Sequence, residues 1–416
     1  MPLTDLLAKQ QDAAPRRWLS IVGVGEDGIE GLTPAARRLV AEADIVFGGK
    51  RHLGLLAPLV RGTARVWSSP FERAVEEVLA QRSCRVCVLA SGDPFCYGVG
   101  AVLARQVSPD ETVVMPAPSA FSLAAARLGW AIPETVLLSL HGRALDLLRP
   151  HLQPRAQLLA LTSDGDQPAT VARLLVESGF GASRLTVLEA LGGPRERIRT
   201  TSAAEFDLID IDPLNTVAIV VKARPGARVI GRSCGLDDAL FEHDGQITKR
   251  EIRAVTLSSL APRRGELLWD VGAGAGSVAI EWMLADPSLH AIAIEARTER
   301  AARIRRNAGA LGVPDLDVRN ASAPDALGEL PRPDAVFIGG GARDDGVLDA
   351  VIEALQAGGR LVVNAVTLET EALLTTRREK LGGELIRVAI ARASPLDGMT
   401  AWRPALPVTQ WTWIKR

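Results

Sequence analysis

Short apolar runs alternate with amphipathic helical segments along almost the whole chain, a pattern typical of α/β domains. The first series of predicted strands covers residues 18–22, 45–47, 86–90, 112–115, 135–140, 156–162, 185–188 and 217–221. The second series covers residues 266–271, 290–294, 316–319, 335–338, 360–363, 385–390 and 408–413. Residues 222–246 between the two series combine Pro225, several glycines and mixed charge, which is typical of a linker. We therefore predict one domain at residues 16–223 and another at residues 240–416.

Helix starts are marked at three places. Thr33 followed by Pro34 predicts an N-cap with proline in the first turn. Thr248 with Glu251 three residues later has the spacing of a capping box, and another helix is expected to begin near Ser277.

Composition and charge narrow the class of protein. The chain has 416 residues, of which 47% are hydrophobic and 23% charged, a balance typical of globular domains. Lys and Arg total 48 against 49 Asp and Glu, so charge gives no reason to expect nucleic acid or an anionic membrane as partner. The sequence contains no apolar run of membrane-spanning length and no secretory signal pattern, so we expect a cytoplasmic protein.

Cys84 and Cys87 form a C-x-x-C pair, which is compatible with a redox motif or half of a zinc site. On a strand, however, residues three apart point to opposite faces. No second pair completes a zinc site. We favour apolar strand cysteines and expect no metal.

A glycine-rich stretch at residues 270–276 joins a predicted strand to a predicted helix. It departs from the dinucleotide pattern G-x-G-x-x-G because Ser277 occupies the place of the third glycine. Asp270 would repel a pyrophosphate but can accept hydrogen bonds from an ammonium group, and Glu295 ends the next strand, where it can bind ribose hydroxyls. Asp/Glu-x-G-x-G-x-G with a later acidic residue resembles the nucleotide motif of class I methyltransferases, which favours S-adenosylmethionine over NAD. The expected cofactor residues here are Asp270, Gly272, Gly274, Gly276 and Glu295.

The ends of the next two predicted strands carry further candidates. Gly339, Gly340 and Gly341 leave open space suited to a broad planar substrate, with Gly339 expected beside the cofactor. Asn364 ends the fifth strand and is a candidate catalytic residue.

Four segments of the second half together resemble the decarboxylating precorrin methyltransferase domain of cobalamin synthesis; they are residues 248–253, 270–276, 338–341 and 359–365. The resemblance covers nearly all of residues 245–416 and implies a class I, Rossmann-like methyltransferase fold. Where the family pattern has Gly-Asp/Glu-Ala-Pro, this chain has Ser322 in place of the acid, followed by Ala323. By resemblance, Ser322 and Ala323 are expected near the adenine.

In the first half, residues 23–28 fit G-x-G-x-x-G. Glu26 and Asp27 would place negative charge at the phosphate position, and the helix begins only at Thr33 and Pro34. A pyrophosphate site is therefore not favoured.

Three later turns complete a second pattern: Ser-Gly-Asp-Pro-Phe-Cys-Tyr-Gly at residues 91–98, Pro-Ala-Pro-Ser-Ala at 116–120 and Ser-Leu-His-Gly-Arg at 139–143. With residues 22–25 they resemble the tetrapyrrole methylases, a fold of two α/β lobes, over about residues 17–222. The last turn narrows the resemblance to the precorrin-6Y methylase branch. The resemblance implies S-adenosylmethionine between the lobes and the first glycine loop facing the tetrapyrrole. The implied cofactor residues are Gly92, Asp93, Pro94, Tyr97, Pro118 and Ser119.

Several basic side chains are candidates for the reaction or for substrate carboxylates. His141 either satisfies its own loop backbone or serves proton transfer or a propionate contact. Arg143 either binds a carboxylate bidentately or forms a surface salt bridge. Lys249, Arg250 and Arg253 are further candidate anchors, at least one of which is expected on a solvated helix face.

The two resemblances together imply S-adenosylmethionine-dependent methylation of precorrin-6B at C5 by the first domain and at C15 by the second. The second domain would also remove carbon dioxide from the ring C acetate, giving precorrin-8. Such a transfer needs alignment and exclusion of water rather than a metal or a nucleophile. The same chemistry on a cobalt-precorrin and a ligand-binding regulator without turnover remain alternatives, whereas an RNA methyltransferase is disfavoured by near-zero charge and 4% aromatic residues. Both families typically form oligomers, so we expect a homo-oligomer.

Overall fold

The computed structural model describes residues 17–416. The chain divides into two compact units. The first contains the described residues up to Arg143 and residues 154–228; the second contains residues 144–153 and 229–416. Both units are built from α/β sheets, which confirms the predicted fold class.

The first lobe of the first unit is a parallel sheet. Its strands are β1 (Leu19–Val24), β2 (Ile45–Gly48), β3 (Thr63–Val66), β4 (Val86–Ser91) and β5 (Thr112–Met115). Its helices are α1 (Pro34–Glu42), α2 (Lys50–Leu55), α3 (Phe71–Leu79) and α4 (Val99–Leu103). The strand order β3-β2-β4-β1-β5 brings the carboxyl ends of β1, β4 and β5 side by side. As predicted, Thr33 caps α1 by accepting a hydrogen bond from the Ala36 amide.

The second lobe contains a mixed sheet of order β6-β7-β10-β8-β9. Its elements are α5 (Ala120–Leu128), β6 (Thr135–Ser139), β7 (Gln157–Leu161), α6 (Gln167–Glu177), β8 (Arg184–Glu189), β9 (Arg197–Ser202) and β10 (Asn215–Val220). Only β6 and β7 pair in parallel. Apolar side chains of α5, β7, β8 and β10 form one core cluster of this lobe, and α6 buries further apolar residues.

The second unit is a seven-stranded sheet of order β13-β12-β11-β14-β15-β19-β16 with a separate hairpin of β17 and β18. Its strands are β11 (Leu267–Val271), β12 (His290–Ile294), β13 (Asp317–Arg319), β14 (Ala335–Ile338), β15 (Arg360–Ala365), β16 (Glu384–Val388), β17 (Ala391–Leu396), β18 (Met399–Pro404) and β19 (Val408–Ile414). Its helices are α7 (Arg250–Leu260), α8 (Ser277–Ala285), α9 (Thr298–Leu311), α10 (Val347–Ala354) and α11 (Leu368–Leu381). The β11 to β15 strands are parallel, so their carboxyl ends share one edge.

Four strands escaped prediction because they lack an apolar run. All four residues of β3 are exposed, and β9 reads Arg-Ile-Arg-Thr-Thr-Ser. The β17–β18 hairpin is mostly exposed along both strands. Pairing with neighbouring backbone, rather than burial of their own side chains, places these segments in sheets.

The linker interpretation of residues 222–246 is wrong for its second part. Ile230, Leu236 and Phe241 are buried in the core of the second unit. The segment is rich in glycine and charge, but its few apolar residues are enough to anchor it in the core of the unit.

The predicted capping box at Thr248 is also wrong. The α7 helix begins at Arg250 with Lys249 as N-cap, and no side chain caps it. The Glu251 carboxylate pairs with Arg392 instead, 2.5 Å away, and the Thr248 carbonyl accepts from the Arg253 guanidinium.

Among residues 17–416, no helix has the length and apolar character needed to cross a membrane.

Candidate functional site

In the first unit, three loops meet where β1, β4 and β5 end. The Gly92 amide donates to the Val24 carbonyl at 3.0 Å, and the Ala117 amide donates to the Gly92 carbonyl at 3.2 Å. A Cβ on Gly23 would lie 1.9 Å from the Gly92 carbonyl oxygen and 2.6 Å from the Ala117 nitrogen. Only glycine allows this approach, so the fold joins motifs that are far apart in the sequence.

The turn after β4 is shaped by its own backbone. Gly92 has φ +55°, and a Cβ there would lie 2.8 Å from the Pro118 carbonyl oxygen. The Asp93 carboxylate accepts from the Phe95 amide at 2.8 Å, and Pro94 is buried. Ser119 is the N-cap of α5 and accepts from the Ser122 amide at 3.1 Å. The structure therefore brings the predicted residues Gly92–Pro94 and Pro118–Ser119 together on one surface, here called the wall.

Tyr97 lies between the two lobes of the first unit. Its hydroxyl donates to the Leu137 carbonyl at 3.3 Å, and its ring meets Phe121 edge-on at 6.0 Å. Tyr97 as a residue is still 54% exposed, so it remains accessible to a ligand. Burial raises the pKa of the Tyr97 hydroxyl, an effect that nearby Arg143 partly opposes.

The loop after β6 carries the two basic candidates of the first unit. His141 Nδ1 lies 3.2 Å from the Thr162 carbonyl oxygen, which can only accept, so Nδ1 carries the proton. The structure thus shows the loop-backbone contact that was one of the two interpretations of His141. Arg143 is exposed and lies near Tyr97, without a salt bridge among the described residues. Roles for His141 and Arg143 in the reaction stay predictions.

A cluster beside the first glycine loop was missed. Glu26 is 9% exposed and pairs with Arg51 and with Arg195, the latter at 3.2 Å. The Arg51 guanidinium also donates to His52 Nε2 and to the Ser91 hydroxyl, each at 2.8 Å. Burial and Arg51 lower the pKa of His52 to about 4. From the sequence, Glu26 was expected only to place negative charge at the phosphate position. The Lys-Arg-His run at residues 50–52, shortly after β2, was the signal that this charge is neutralised.

In the second unit, the glycine turn follows β11 as predicted. Gly272, Gly274 and Gly276 have φ of +69°, +60° and +74°. A Cβ on Gly272 would lie 2.8 Å from the Gly340 carbonyl oxygen, and one on Gly276 would lie 2.7 Å from the Ile304 side chain. The Gly339 amide donates to the Val271 carbonyl at 3.4 Å, so the loop after β14 packs directly against the turn.

Two buried carboxylates hold this turn. Asp270 is 1% exposed; its Oδ2 accepts from the Ala279 amide at 3.1 Å, while Oδ1 is buried without a partner among residues 17–416. Burial, with nearby Glu295, raises the pKa of Asp270 to about 7. Glu295 accepts from the Gly274 amide at 2.9 Å and from the Arg297 amide at 3.0 Å. An unpaired buried acceptor beside glycine backbone suits a ligand that donates hydrogen bonds.

The remaining candidates of the second unit lie at the ends of β13 and β15. Ser322 is exposed, and its carbonyl accepts from the Ala326 amide at 3.0 Å, while Ala323 packs against an apolar cluster. The Asn364 side chain donates to Thr256 Oγ1 at 3.1 Å and accepts from Gln410 at 2.9 Å. Asn364 is thus held by a polar network on α7 and β19 that the sequence did not indicate, and its catalytic role stays a prediction.

Arg253 is not available as a substrate anchor. Its side chain is 0% exposed, its Nε donates to Glu281 at 2.5 Å, and its guanidinium lies over the Phe241 ring at 4.7 Å. A charge this deep requires such partners, so the residue joins α7 to the core. Lys249 and Arg250 are exposed.

The cysteines are all free, with Cys87 buried in β4. Within residues 17–416, no group of three or more His, Cys, Asp or Glu side chains is placed to hold a metal ion.

The two unlike α/β units, each with glycine turns at the carboxyl ends of its strands, are matched by two different methyltransferase families. Residues 19–207 match the family described as Tetrapyrrole (Corrin/Porphyrin) Methylases, and residues 239–415 match the Precorrin methyltransferase domain. The chain is 59% identical, over 98% of its length and 99% of the relative's, to a precorrin-6Y C(5,15)-methyltransferase (decarboxylating) of Sinorhizobium sp. The chain belongs to this precorrin-6Y C(5,15)-methyltransferase (decarboxylating) family, which confirms the resemblance seen in both halves of the sequence.

Two shorter relatives each match less than half of the chain. A cobalt-precorrin-7 C(5)-methyltransferase of Salmonella typhimurium is 31% identical over 43% of this chain and 88% of its own length. A probable cobalt-precorrin-6B C(15)-methyltransferase (decarboxylating) of Methanosarcina acetivorans is 34% identical over 39% of this chain and 91% of its own length. The two activities named for the family therefore also exist as separate proteins.

Proposed function

We propose that this protein methylates precorrin-6B at C5 and C15 with S-adenosylmethionine and removes carbon dioxide from the ring C acetate, giving precorrin-8 in cobalamin biosynthesis. The observation that carries the proposal is the 59% identity to a relative of that name over nearly the whole of both chains. Such an end-to-end match includes both glycine turns and the loops that face them.

The first unit is proposed to act at C5 and the second at C15. The support is that the two family matches fall on different units and that separate relatives carry the C5 and C15 activities. Of the two shorter relatives, the C(15)-methyltransferase is the one named as decarboxylating. We therefore assign loss of carbon dioxide to the second unit.

The residues of both sites fit a sulfonium cofactor with an amino acid end. Asp270 Oδ1 offers an unused buried acceptor for an ammonium group, and the glycine backbone lets a ligand approach closely. In the first unit, the proposed cofactor residues Gly92, Asp93, Pro94, Tyr97, Pro118 and Ser119 lie on the wall and turn already described. When bound, S-adenosylmethionine supplies an electrophilic methyl group.

Substrate contacts are proposed at open space beside the glycine turn and at exposed basic side chains. A Cβ on Gly340 would meet nothing within 4 Å, which leaves room for a flat macrocycle beside the glycine turn. Exposed Arg143 in the first unit and exposed Lys249 and Arg250 in the second are proposed to bind substrate carboxylates. His141 Nε2 is proposed to accept a proton or contact a propionate.

A cobalt-precorrin is the second candidate substrate, because both half-length relatives are named for one. The full-length relative is named for precorrin, so the cobalt-free route is proposed first. The expected cytoplasmic location stays a prediction.

The test uses the full chain, since residues 144–153 belong to the second unit and a cut between the sequence-derived domains would remove them from it. The purified protein is incubated with S-adenosylmethionine and either precorrin-6B or its cobalt form, and products are identified by mass. Addition of two methyl groups with loss of carbon dioxide from the cobalt-free substrate supports the proposal. Methylation without decarboxylation, or turnover of the cobalt form alone, contradicts it.

Cofactor binding to the second unit is expected to strengthen as pH rises through about 7, because Asp270 then ionises and attracts an ammonium group more strongly. The free energy of unfolding changes with pH in the opposite direction. A folded-state pKa raised from 3.8 to about 7 contributes free energy of unfolding in acid that is lost as pH rises through this range. Calorimetric titration of S-adenosylmethionine across this range checks the first effect. Asp270→Asn should bind more weakly and lose the pH dependence; an unchanged slope contradicts the assignment.

We also propose that the protein self-associates through the β17–β18 hairpin, where Met399 and Trp402 are 72% and 75% exposed. Met399→Glu with Trp402→Glu is expected to lower the solution mass measured by light scattering. Leu368→Glu, at an equally exposed leucine outside the hairpin, is the control. A wild-type monomer, or an unchanged mass in the double variant, contradicts this prediction.

A further inference from the structure

Residues 242–247, here called the strap, lead from the short turn Asp238–Leu240 to α7. The strap is fixed at its start by Asn307 of α9. The Glu242 amide donates to Asn307 Oδ1 at 2.8 Å, and Asn307 Nδ2 donates back to the Glu242 carbonyl at 2.9 Å. One buried amide side chain, 2% exposed, therefore substitutes for a strand partner.

The same Asn307 Nδ2 donates to the Ala275 carbonyl at 2.9 Å, inside the glycine turn. The strap itself also reaches the turn, because a Cβ on Gly274 would lie 3.4 Å from the Gln246 carbonyl oxygen. Asn307 thus joins the strap to the backbone that lies between Gly274 and Gly276.

Ion pairs hold the rest of the strap to α9. The Asp244 carboxylate lies 2.9 Å from Arg300 Nε and 3.2 Å from Arg303 Nη1. The Glu242 carboxylate accepts from both Nε and Nη2 of Arg306 at 2.8 and 2.7 Å. The Arg300 and Arg303 side chains are mostly buried, and these partners hold the pKa of Asp244 well below its usual range.

We propose that the strap and Asn307 together position the glycine turn of the second unit and set how tightly that unit binds S-adenosylmethionine. Asn307 is a positioning residue: it acts on the cofactor through the Ala275 carbonyl and the strap. The inference rests on the proposed function for the identity of the cofactor.

The physical reason lies in the turn itself. Three glycines at positive φ give its backbone many alternative conformations, so a ligand must select one of them unless neighbours already do. Glu295 fixes the Gly274 amide from one side, and Asn307 fixes the Ala275 carbonyl from the other. Removing Asn307 would free the turn and leave the strap without its buried partner.

Asn307→Ala in the full chain is expected to raise the KM for S-adenosylmethionine in C15 methylation by about 10-fold or more, with a smaller change in kcat. The matched control is Asn215→Ala in the first unit. Asn215 is also a buried asparagine that donates twice to backbone carbonyls, so its loss should lower stability without changing the second unit's KM.

Asp244→Asn provides a second variant that keeps the shape of the strap and removes only the charge of residue 244. The Asp244 side chain is 32% exposed, so salt partly screens its ion pairs, and we expect a rise of about 2-fold to 5-fold in KM at low ionic strength. The wild-type KM should rise with added sodium chloride, whereas that of Asp244→Asn should respond less.

An unchanged KM in either variant, with wild-type C15 methylation present, overturns the role of the strap. If Asn307→Ala does not fold, Asp244→Asn alone decides. Direct calorimetric titration of S-adenosylmethionine separates this inference from the proposed function. Weaker binding in the variants of a protein that never methylates C15 would support the strap and contradict the reaction.

Discussion

Gly23→Ala is expected to abolish methylation by the first unit while the second unit continues to bind cofactor. The new Cβ would lie 1.9 Å from the Gly92 carbonyl oxygen and 2.6 Å from the Ala117 nitrogen. Both are backbone atoms of loops that bear the proposed cofactor residues, so neither can move aside as a flexible side chain would. If the loops rearrange and about 3 kcal/mol of transition-state stabilisation is lost, the rate of C5 methylation falls by roughly 100-fold.

The measurement is the product formed from precorrin-6B, together with calorimetric titration of S-adenosylmethionine. The expected product has lost carbon dioxide and gained the C15 methyl group only, and one class of binding site should remain. Gly54→Ala is the matched control, because its Cβ would meet nothing within 4 Å and it lies in the α2 helix, where alanine is favoured. C5 methylation at the wild-type rate in Gly23→Ala would contradict the geometry of the three-loop contact.

The sequence correctly predicts those parts of the fold whose signals lie within a few consecutive residues. The mostly apolar β11, with Asp270 near its end and the spaced glycines after it, identifies a strand, a turn and a helix within a few residues. The central strands β4 and β14 are likewise continuous buried runs, so their apolar sequences suffice to place them.

What escaped prediction depends on contacts between distant residues. Arg253 has the sequence context of a surface helix residue, yet Glu281 and Asp238 draw it into the core. Glu26 carries a charge that Arg51 and Arg195 neutralise, and Arg195 comes from the other lobe of the same unit. Single-sequence reasoning has no access to such pairs, because hydrophobic periodicity does not encode them.

Contacts between distant residues also explain why the strap beside the glycine turn was not predicted. Glycine and charge made residues 229–246 resemble a linker, whereas Ile230, Leu236 and Phe241 anchor them and Asn307 binds residue 242. Asn307 lies in the middle of α9, where an asparagine usually weakens a helix. A polar residue of low helix propensity at a buried position was the one available signal.

Gly272→Ala is expected to abolish C15 methylation and release of carbon dioxide, through two effects that act together. Alanine at φ +69° adopts the left-handed conformation at a cost of about 1–2 kcal/mol. Its Cβ would also lie 2.8 Å from the Gly340 carbonyl oxygen, which pushes the turn away from the loop after β14. Because these two loops border the proposed methyl-transfer position, we expect a loss of about 100-fold or more.

Gly358→Ala separates the two effects. Its φ is +79°, but its Cβ would meet nothing within 4 Å, so it carries the conformational strain without the contact. Gly358→Ala should therefore lower the thermal stability of the second unit while carbon dioxide release continues, whereas Gly272→Ala should lose carbon dioxide release and leave cofactor binding to the first unit intact. Equal loss of carbon dioxide release in both variants would mean that strain alone is responsible. Undiminished carbon dioxide release in Gly272→Ala would contradict a role of the glycine turn in the reaction. This turn was chosen because, in the described second unit, Asp270 beside it holds the one buried carboxylate oxygen without a partner.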